Sequence, residues 1–279
     1  MMKYGLSRLN RSTGEVLKYI NRPLNYLMST IENIREKLDQ IGFISEPGSV
    51  LYSGNETIKK GKFYFLGANP GGHSDQNLGK YPDTVENQLL RKNTSSDFNE
   101  YFDARWQIRG REPSAPGTAL LQRRIKFLFQ KIDVDLRTVL STNLVFVRSP
   151  TLEEFHLKWS DAADKCWKVH EILLSQVSPE IIIAYGSDAS EYIKKKMIVE
   201  DEKYFEIVSL NEIKYFSVTQ GMLDILNTKI KLKLVSIPHL SRFKINAKGM
   251  EFGDAYDVRP ALEWLKKEIS NSSEEQLNP

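Results

Sequence analysis

Short apolar runs with strand character alternate along this chain with stretches whose apolar residues recur every three or four positions, and that alternation limits the fold more than any other feature. Lys62 to Ala68, the stretch near Val139–Val147, Ile181–Tyr185 and the run KLKLVSI read as strands. Between them Leu120, Leu121, Ile125, Leu128 and Phe129 mark one helix face, and a second helix runs from about Ser160 to Val177. Pro260 opens a last helix carrying Leu262, Leu265 and Ile269. Upstream, Leu24, Leu27, Met28, Ile31, Ile34, Leu38 and Ile41 form an amphipathic helix with Asn21 as cap, Pro23 in the first turn and Gly42 as stop. The run YFEIVSLNEIKYFSV alternates around a polar turn, as a hairpin does. Strands separated by helices pair mainly in parallel and are covered on both faces. The expected fold class is therefore α/β, a three-layer α/β/α sandwich with a mainly parallel central sheet.

The 279 residues suit one large domain: an N-terminal helical extension over 1–61 packed on an α/β core over 62–269, then a frayed tail over 270–279. Residues 73–118 form an insertion that is polar, punctuated by Gly and Pro, and interleaved with Tyr81, Phe98, Tyr101, Phe102 and Trp106. Stretches of that length between core elements are functional or disordered. The single cysteine, Cys166, excludes an intramolecular disulfide and a cysteine-ligated metal site, and neither metal nor organic cofactor is expected. No apolar run approaches the roughly eighteen residues of a membrane span. The opening MMKYGLSRLN lacks the apolar stretch of a secretory signal, so a cytoplasmic monomer is expected, with no membrane partner. A net charge of +3 makes no global case for nucleic acid, and any such case must be local.

In parallel sheets the reactive loops follow the carboxyl ends of the strands. Three informative segments sit there: Gly67-Ala68-Asn69-Pro70-Gly71-Gly72-His73, the residues around Asn143, and the run IPHLSR over 237–242. Glycines leaving a buried strand allow a tight turn whose exposed N–H groups can face an anion. Equally, this can be a Gly/Pro turn whose Asn69 caps the bend. The segment is neither a P-loop, since no Gly-Lys-Ser/Thr follows, nor a G-x-G-x-x-G dinucleotide turn.

Five segments carry a family resemblance. FLGANPGG resembles the first motif of the uracil-DNA glycosylase superfamily, in the Asn-Pro-Gly form of its mismatch-specific and single-strand-selective branches. Glu112 to Leu121 resembles the segment that several branches write Pro-Phe-x-Gly-x-x-Gly-x-x-Leu. STNLVFVRSP resembles the strand that ends in a base-reading Asn, VSPEIIIAYGSDA the Pro…Ile-Ile-x-x-Gly strand and turn, and SIPHLSR the final His-Pro-Ser or Met-Pro-Ser loop. They run in family order from about residue 62 to 245.

The resemblance implies a uracil-DNA glycosylase-like domain: a monofunctional DNA glycosylase that flips a modified or damaged pyrimidine and hydrolyses its N-glycosidic bond. In it Asn69 orients the attacking water, and the Gly71–Gly72 turn, with His73 beside it, faces the departing base. An amide can orient water but cannot take its proton, which implies a slow enzyme or a base that leaves readily. Asn143 reads the base edge through its paired donor and acceptor; a strand-end Asn satisfying backbone is the alternative.

The final loop departs from the pattern. Aligned on Pro238, Ile237 stands where the family has His or Met, and His239 can donate to the leaving base or be a structural histidine. Aligned on Leu-Ser, Leu240 is the wedge, with Ser241, Arg242 and Lys244 near phosphates. Ser114 stands where the Pro-Phe branches have an aromatic platform, so either Tyr81 or Trp106 supplies the stack or the pocket is open there. An open pocket suits bulky hypermodified bases, such as those of phage DNA, and hence antiviral defence.

From Arg105 to Lys126, the cations Arg105, Arg109, Arg111, Arg123, Arg124 and Lys126 face only Glu112. They can hold phosphates, with Arg123 and Arg124 as the chief DNA contacts, or form a solvated face. His170 shares a helix face with Cys166, Trp167, Leu173 and Leu174 and reads as packed, and His156 reads as a surface residue. A catalytically silent relative that recognises a modified base, and an α/β enzyme holding a nucleotide phosphate on the glycine turn, are the competing readings.

Overall fold

The structure, a computed structural model, describes residues 30–72, 83–106, 112–151, 155, 157–209, 212–240 and 258–270. The described helices are α1 (residues 30–40), α2 (Val85–Thr94), α3 (Leu120–Lys131), α4 (Trp159–Val177), α5 (Ser187–Lys196) and α6 (Arg259–Ser270). The strands are β1 (Phe63–Gly67), β2 (Leu140–Asn143), β3 (Ile181–Tyr185), β4 (Met197–Ser209), β5 (Glu212–Ile225) and β6 (Thr228–Ile237). They form one six-stranded sheet in the order β2-β1-β3-β6-β5-β4. The four strands from β2 to β6 are mutually parallel, and the β4–β5 hairpin closes one side antiparallel. The fold is α/β with a mainly parallel central sheet, as the alternation of runs predicts.

Strand residues divide by parity between two cores. Tyr64, Leu66, Ile182, Ala184 and Leu234 face a cluster built with Ile34 and Leu38 of α1, Val85 and Leu89 of α2, and residues of α4 and α5. Phe65, Ile181, Ile183, Tyr185 and Val235 face the other, with Ile125, Leu128 and Phe129 of α3 and Leu262 and Leu265 of α6. Helices thus cover both faces. Each fully buried Leu, Ile or Phe contributes about 1.5–3 kcal/mol, which is why β3, apolar at all five positions, lies in the middle of the sheet.

Helix α2 lies inside the stretch expected to be irregular. Thr84 caps it, accepting from the Asn87 N–H at 3.2 Å, with Glu86 in its first turn and Arg91 and Lys92 in its last. These are ordinary helix signals, overshadowed in the sequence by the polar, aromatic-dotted surroundings. The tail beyond residue 270 and the first turns of the N-terminal helix lie outside the described residues.

His170 is packed, as expected. It is fully buried on α4, with Nδ1 2.7 Å from the Tyr64 hydroxyl and Nε2 3.0 Å from the Leu144 carbonyl. A carbonyl only accepts, so Nε2 carries the proton and Nδ1 accepts from Tyr64. Burial pulls its pKa from 6.5 down to about 4. Cys166 is buried too, and its thiol is pushed up to about 12, which leaves it protonated and inert.

A histidine held neutral destabilises the fold wherever the unfolded chain can protonate it. Above pH 6.5 it contributes no pH dependence; as pH falls from 6.5 towards about 4 the unfolded state binds the extra proton and stability drops. The expected loss is on the order of 3 kcal/mol across that window. Urea unfolding midpoints measured through it should fall steeply for the parent and more gently for His170→Gln. Equal slopes would show that His170 is not held neutral.

Candidate functional site

Parallel register lines up the strand ends. Gly67 pairs with Asn143 on one side, Leu66 with Ala184 on the other, and Tyr185 with Ile237 beyond. By the strand period of two, Asn143, position 67 and Tyr185 point to the same face, that of Phe65 and α3. The middle position has no side chain, so its neighbours lean into the gap. A Cβ on Gly67 would lie 2.4 Å from the Tyr185 hydroxyl and 2.6 Å from Asn143 Oδ1. Glycine is required here by close approach.

Asn143 is 1% exposed. Its Nδ2 donates to the Tyr52 hydroxyl, while its Oδ1 is buried and has no partner. Tyr52 reaches this place because the segment around it runs along β2: the Tyr52 N–H donates to Ser141 O at 2.8 Å, and Ser141 N–H donates to Ser53 Oγ at 3.0 Å. Aromatic rings enclose the rest. Tyr52 stacks on Tyr101 with centroids 5.6 Å apart, Trp106 meets both edge-on at 6.1 and 6.0 Å, and Phe65 stacks on Tyr185 at 5.2 Å. Burial raises the Tyr52 phenol to about 12 and those of Tyr101 and Tyr185 above their ordinary value, so all three are neutral donors. The Tyr101 hydroxyl is fully buried and faces that of Tyr185, an interaction that holds the proton on Tyr101.

The glycine turn is tied down from its far side. Asn69 donates through Nδ2 to the carbonyls of Pro70 at 3.1 Å and Ser149 at 3.3 Å, so its amide does cap the bend. Both acceptors are carbonyls, which fixes the nitrogen on that side and turns Oδ1 the other way. Ser149 N–H donates back to Pro70 O at 3.1 Å. Arg148 donates to the Gly71 carbonyl and to Asp83 Oδ2, while Arg91 binds Asp83 Oδ1 at 2.5 Å. Gly71 is exposed, and Gly72 has φ +92°.

Two carboxylates that sequence reasoning passed over lie beside the aromatic group: Asp83, and Glu100 of the segment after α2. The Glu100 N–H donates to Tyr52 O at 2.6 Å; its side chain lies 3.6 Å from Lys92 Nζ and hydrogen-bonds Trp106. Desolvation raises the Glu100 pKa, opposed chiefly by Lys92, and the same burial lowers that of Lys92. Tyr52 and Glu100 carry no motif; only their proximity in space singles them out.

Other expected site residues are distributed as follows. His239 is half-buried, its ring 5.5 Å from Tyr185, at the edge of the same group. Ser114 braces the backbone of Trp106: its N–H and hydroxyl both donate to Trp106 O at 3.0 Å. Arg124 is corrected as a surface phosphate contact. It is 2% exposed and donates to Leu240 O at 2.6 Å. Leu240 is corrected as a wedge, because it is fully buried in the core with α3 and α6. Arg123 is exposed on α3. Lys126 donates to Gly117 O at 2.7 Å, so the basic stretch is partly used internally. His73, Tyr81, Arg109, Arg111, His156, Ser241, Arg242 and Lys244 lie outside the described residues.

Gly67→Ala tests the slot. Its methyl group overlaps Tyr185 and Asn143, neither of which can retreat into a packed core without strain. The variant should fold but lose about 1–3 kcal/mol in urea unfolding. Unchanged stability would mean that the two side chains are free to part. No protein-family model matches this chain and no curated protein aligns with it, so the site has to be read from its own chemistry.

Proposed function

We propose that this chain is a DNA glycosylase that takes a flipped pyrimidine, modified or damaged, against the carboxyl ends of β1 and β2 and hydrolyses its N-glycosidic bond. The observation that carries the reading is Asn143: a carboxamide 1% exposed whose Oδ1 has no partner, set among Tyr52, Tyr101, Trp106 and Tyr185. A buried unpaired acceptor costs about 1–3 kcal/mol, and a ligand N–H recovers it. A base offers that N–H in the plane of a ring, and rings stack on aromatic walls. The uracil-DNA glycosylase-like fold belongs to this reading, supported by motifs that fall at the carboxyl ends of β1, β2, β3 and β6. So do action as a cytoplasmic monomer, DNA as the partner and excision of hypermodified phage bases.

Asn69 fits the reading with its Oδ1, which is turned away from the carbonyls that hold its nitrogen and can accept from the attacking water. The same two bonds also favour a second reading, a catalytically silent relative that binds a modified base, because they give Asn69 a purely structural reason to be there.

One panel of oligonucleotides separates the two. It contains uracil, thymine opposite guanine, 5-hydroxymethylcytosine and glucosylated cytosine, with abasic sites scored after incubation. We expect release of at least one base, abolished in Asn69→Ala with DNA binding kept within a few-fold. Asn143→Ala should lower release by the equivalent of about 1–3 kcal/mol. Binding of a modified base without release from any oligonucleotide would establish the second reading instead.

The two arginines of α3 should also part company. Arg123→Ala should lower the slope of log affinity on log salt by about 0.9, as loss of one phosphate contact to duplex DNA does. Arg124→Ala should leave that slope unchanged and lower the unfolding midpoint, since it removes the bond to Leu240 O. Equal effects on the salt slope would return Arg124 to the surface.

A further inference from the structure

Two successive peptide planes of the turn after β1 are oriented alike. Pro70 O accepts from the Ser149 N–H and from Asn69 Nδ2, each at 3.1 Å, and Gly71 O accepts from Arg148 Nη1. In a trans peptide the carbonyl and the N–H of the following residue point opposite ways. Both carbonyls turn towards residues 148–149, so the N–H groups of Gly71 and Gly72 turn away from them. Gly72, at φ +92°, has the left-handed backbone that brings adjacent N–H groups to one side of a turn. Among the described residues neither N–H donates to a protein acceptor, and Gly71 is exposed.

Arg148 holds that arrangement. Its guanidinium spans Gly71 O and Asp83 Oδ2, the latter at 3.2 Å. Both side chains of the Arg148–Asp83 pair are 16% exposed, so it is screened less than a surface pair. Arg91 of α2 takes the other oxygen of Asp83 at 2.5 Å, and the Arg148 N–H donates to Pro47 O at 2.8 Å. We propose that Arg148 is a positioning residue for catalysis, an assignment that rests on the glycosylase reading above. By gripping Gly71 O it presents the N–H groups of Gly71 and Gly72 to the negative charge of the departing base. As the C1′–N bond breaks, its electron pair leaves with the base, while water adds to C1′ and gives its proton to solvent.

The cation acts in two ways. A carbonyl oxygen bonded to a guanidinium polarises its peptide, and the N–H of that same peptide, at Gly72, becomes a stronger donor. The fork also fixes the peptide plane, because one guanidinium nitrogen is held by Asp83 while the other grips Gly71 O. A lysine keeps the charge but grips at one point only. Donors set in advance for charge that develops in the transition state help most where the base leaves least readily.

The experiment is single-turnover base release at saturating enzyme, on whichever oligonucleotide of the panel the parent cleaves and on its 6-aza analogue, whose base departs more readily. Arg148→Met should lower release of the panel base roughly 10- to 100-fold, less than outright loss of a donor, with DNA affinity within a few-fold. Release of the 6-aza base should fall by much less, and Arg148→Lys should lie between the parent and Arg148→Met. Asp83 keeps Arg91 in these variants, so no carboxylate is stranded. Should Arg148→Met fail to fold, Arg148→Lys carries the comparison of the two bases. Release of the panel base within a few-fold of the parent overturns the proposal and leaves the glycosylase reading standing. So does an equal loss on both bases, which would make Arg148 only a brace for the turn. Release of no base by the parent from any oligonucleotide overturns the glycosylase reading and this assignment together.

Discussion

Strand β1 has a parallel neighbour on each side, and that pairing governs where everything else can go. The chain leaves β1 for β2, then returns across β1 to reach β3. Crossovers between parallel strands are right-handed, so reversing the direction of travel moves the connecting helix to the other face. Helix α3, before β2, accordingly packs with Phe65 and Ile183, while α4, after it, packs with Tyr64 and Ile182. Where two connections part to opposite faces, a crevice opens beyond the strand ends. Gly67 stands at the mouth of that crevice.

What fills the crevice follows from the missing side chain. With a residue of ordinary size at 67, the end of β1 would be another element of core, continuous with Phe65. With glycine, a carboxamide and a phenol from the two flanking strands occupy the space, and both bring polar atoms into a region of low dielectric. Fully satisfied, such a group would simply rigidify the sheet end. Here it is only part-satisfied, at Asn143 Oδ1. Unmet hydrogen-bonding capacity inside an otherwise well-packed domain is a specific cost, and ligand contact is one of the ways in which it is offset.

Much of the fold was readable in the sequence because burial imposes periodicity. Ile181–Tyr185 is apolar throughout and lies at the centre; the alternation across residues 204–218 forms the β4–β5 hairpin; Leu262, Leu265 and Ile269 pack inward on α6. The candidate site was readable only in its motif-bearing parts, Gly67, Asn69 and Asn143. Tyr52 and Glu100 escaped because nothing local distinguishes them; Tyr52 matters through Ser141 and Asn143 far along the chain, and Glu100 through its bond back to Tyr52. Arg124 and Leu240 were misread for a related reason. Charge in a sequence is counted without regard to direction, whereas on α3 adjacent residues point about 100° apart, so Arg123 meets solvent and Arg124 meets the core.

That inward cation belongs to a set. Lys92 donates to Phe98 O, Arg124 to Leu240 O and Arg148 to Gly71 O. Each anchors by a backbone carbonyl one of the three segments that border the crevice. A carbonyl satisfies a donor without neutralising its charge. Of the three, Arg148 shares Asp83, and Lys92 faces Glu100 at 3.6 Å. Arg124 has Arg123 as the charged neighbour that perturbs it, and burial together with that repulsion lowers its pKa. Two of the three thus keep a carboxylate within salt-bridge reach, which offsets a charge that burial would otherwise penalise. In the basic stretch of the sequence Arg124 and Lys126 serve backbone carbonyls, so its charge count overstates what it can offer a phosphate.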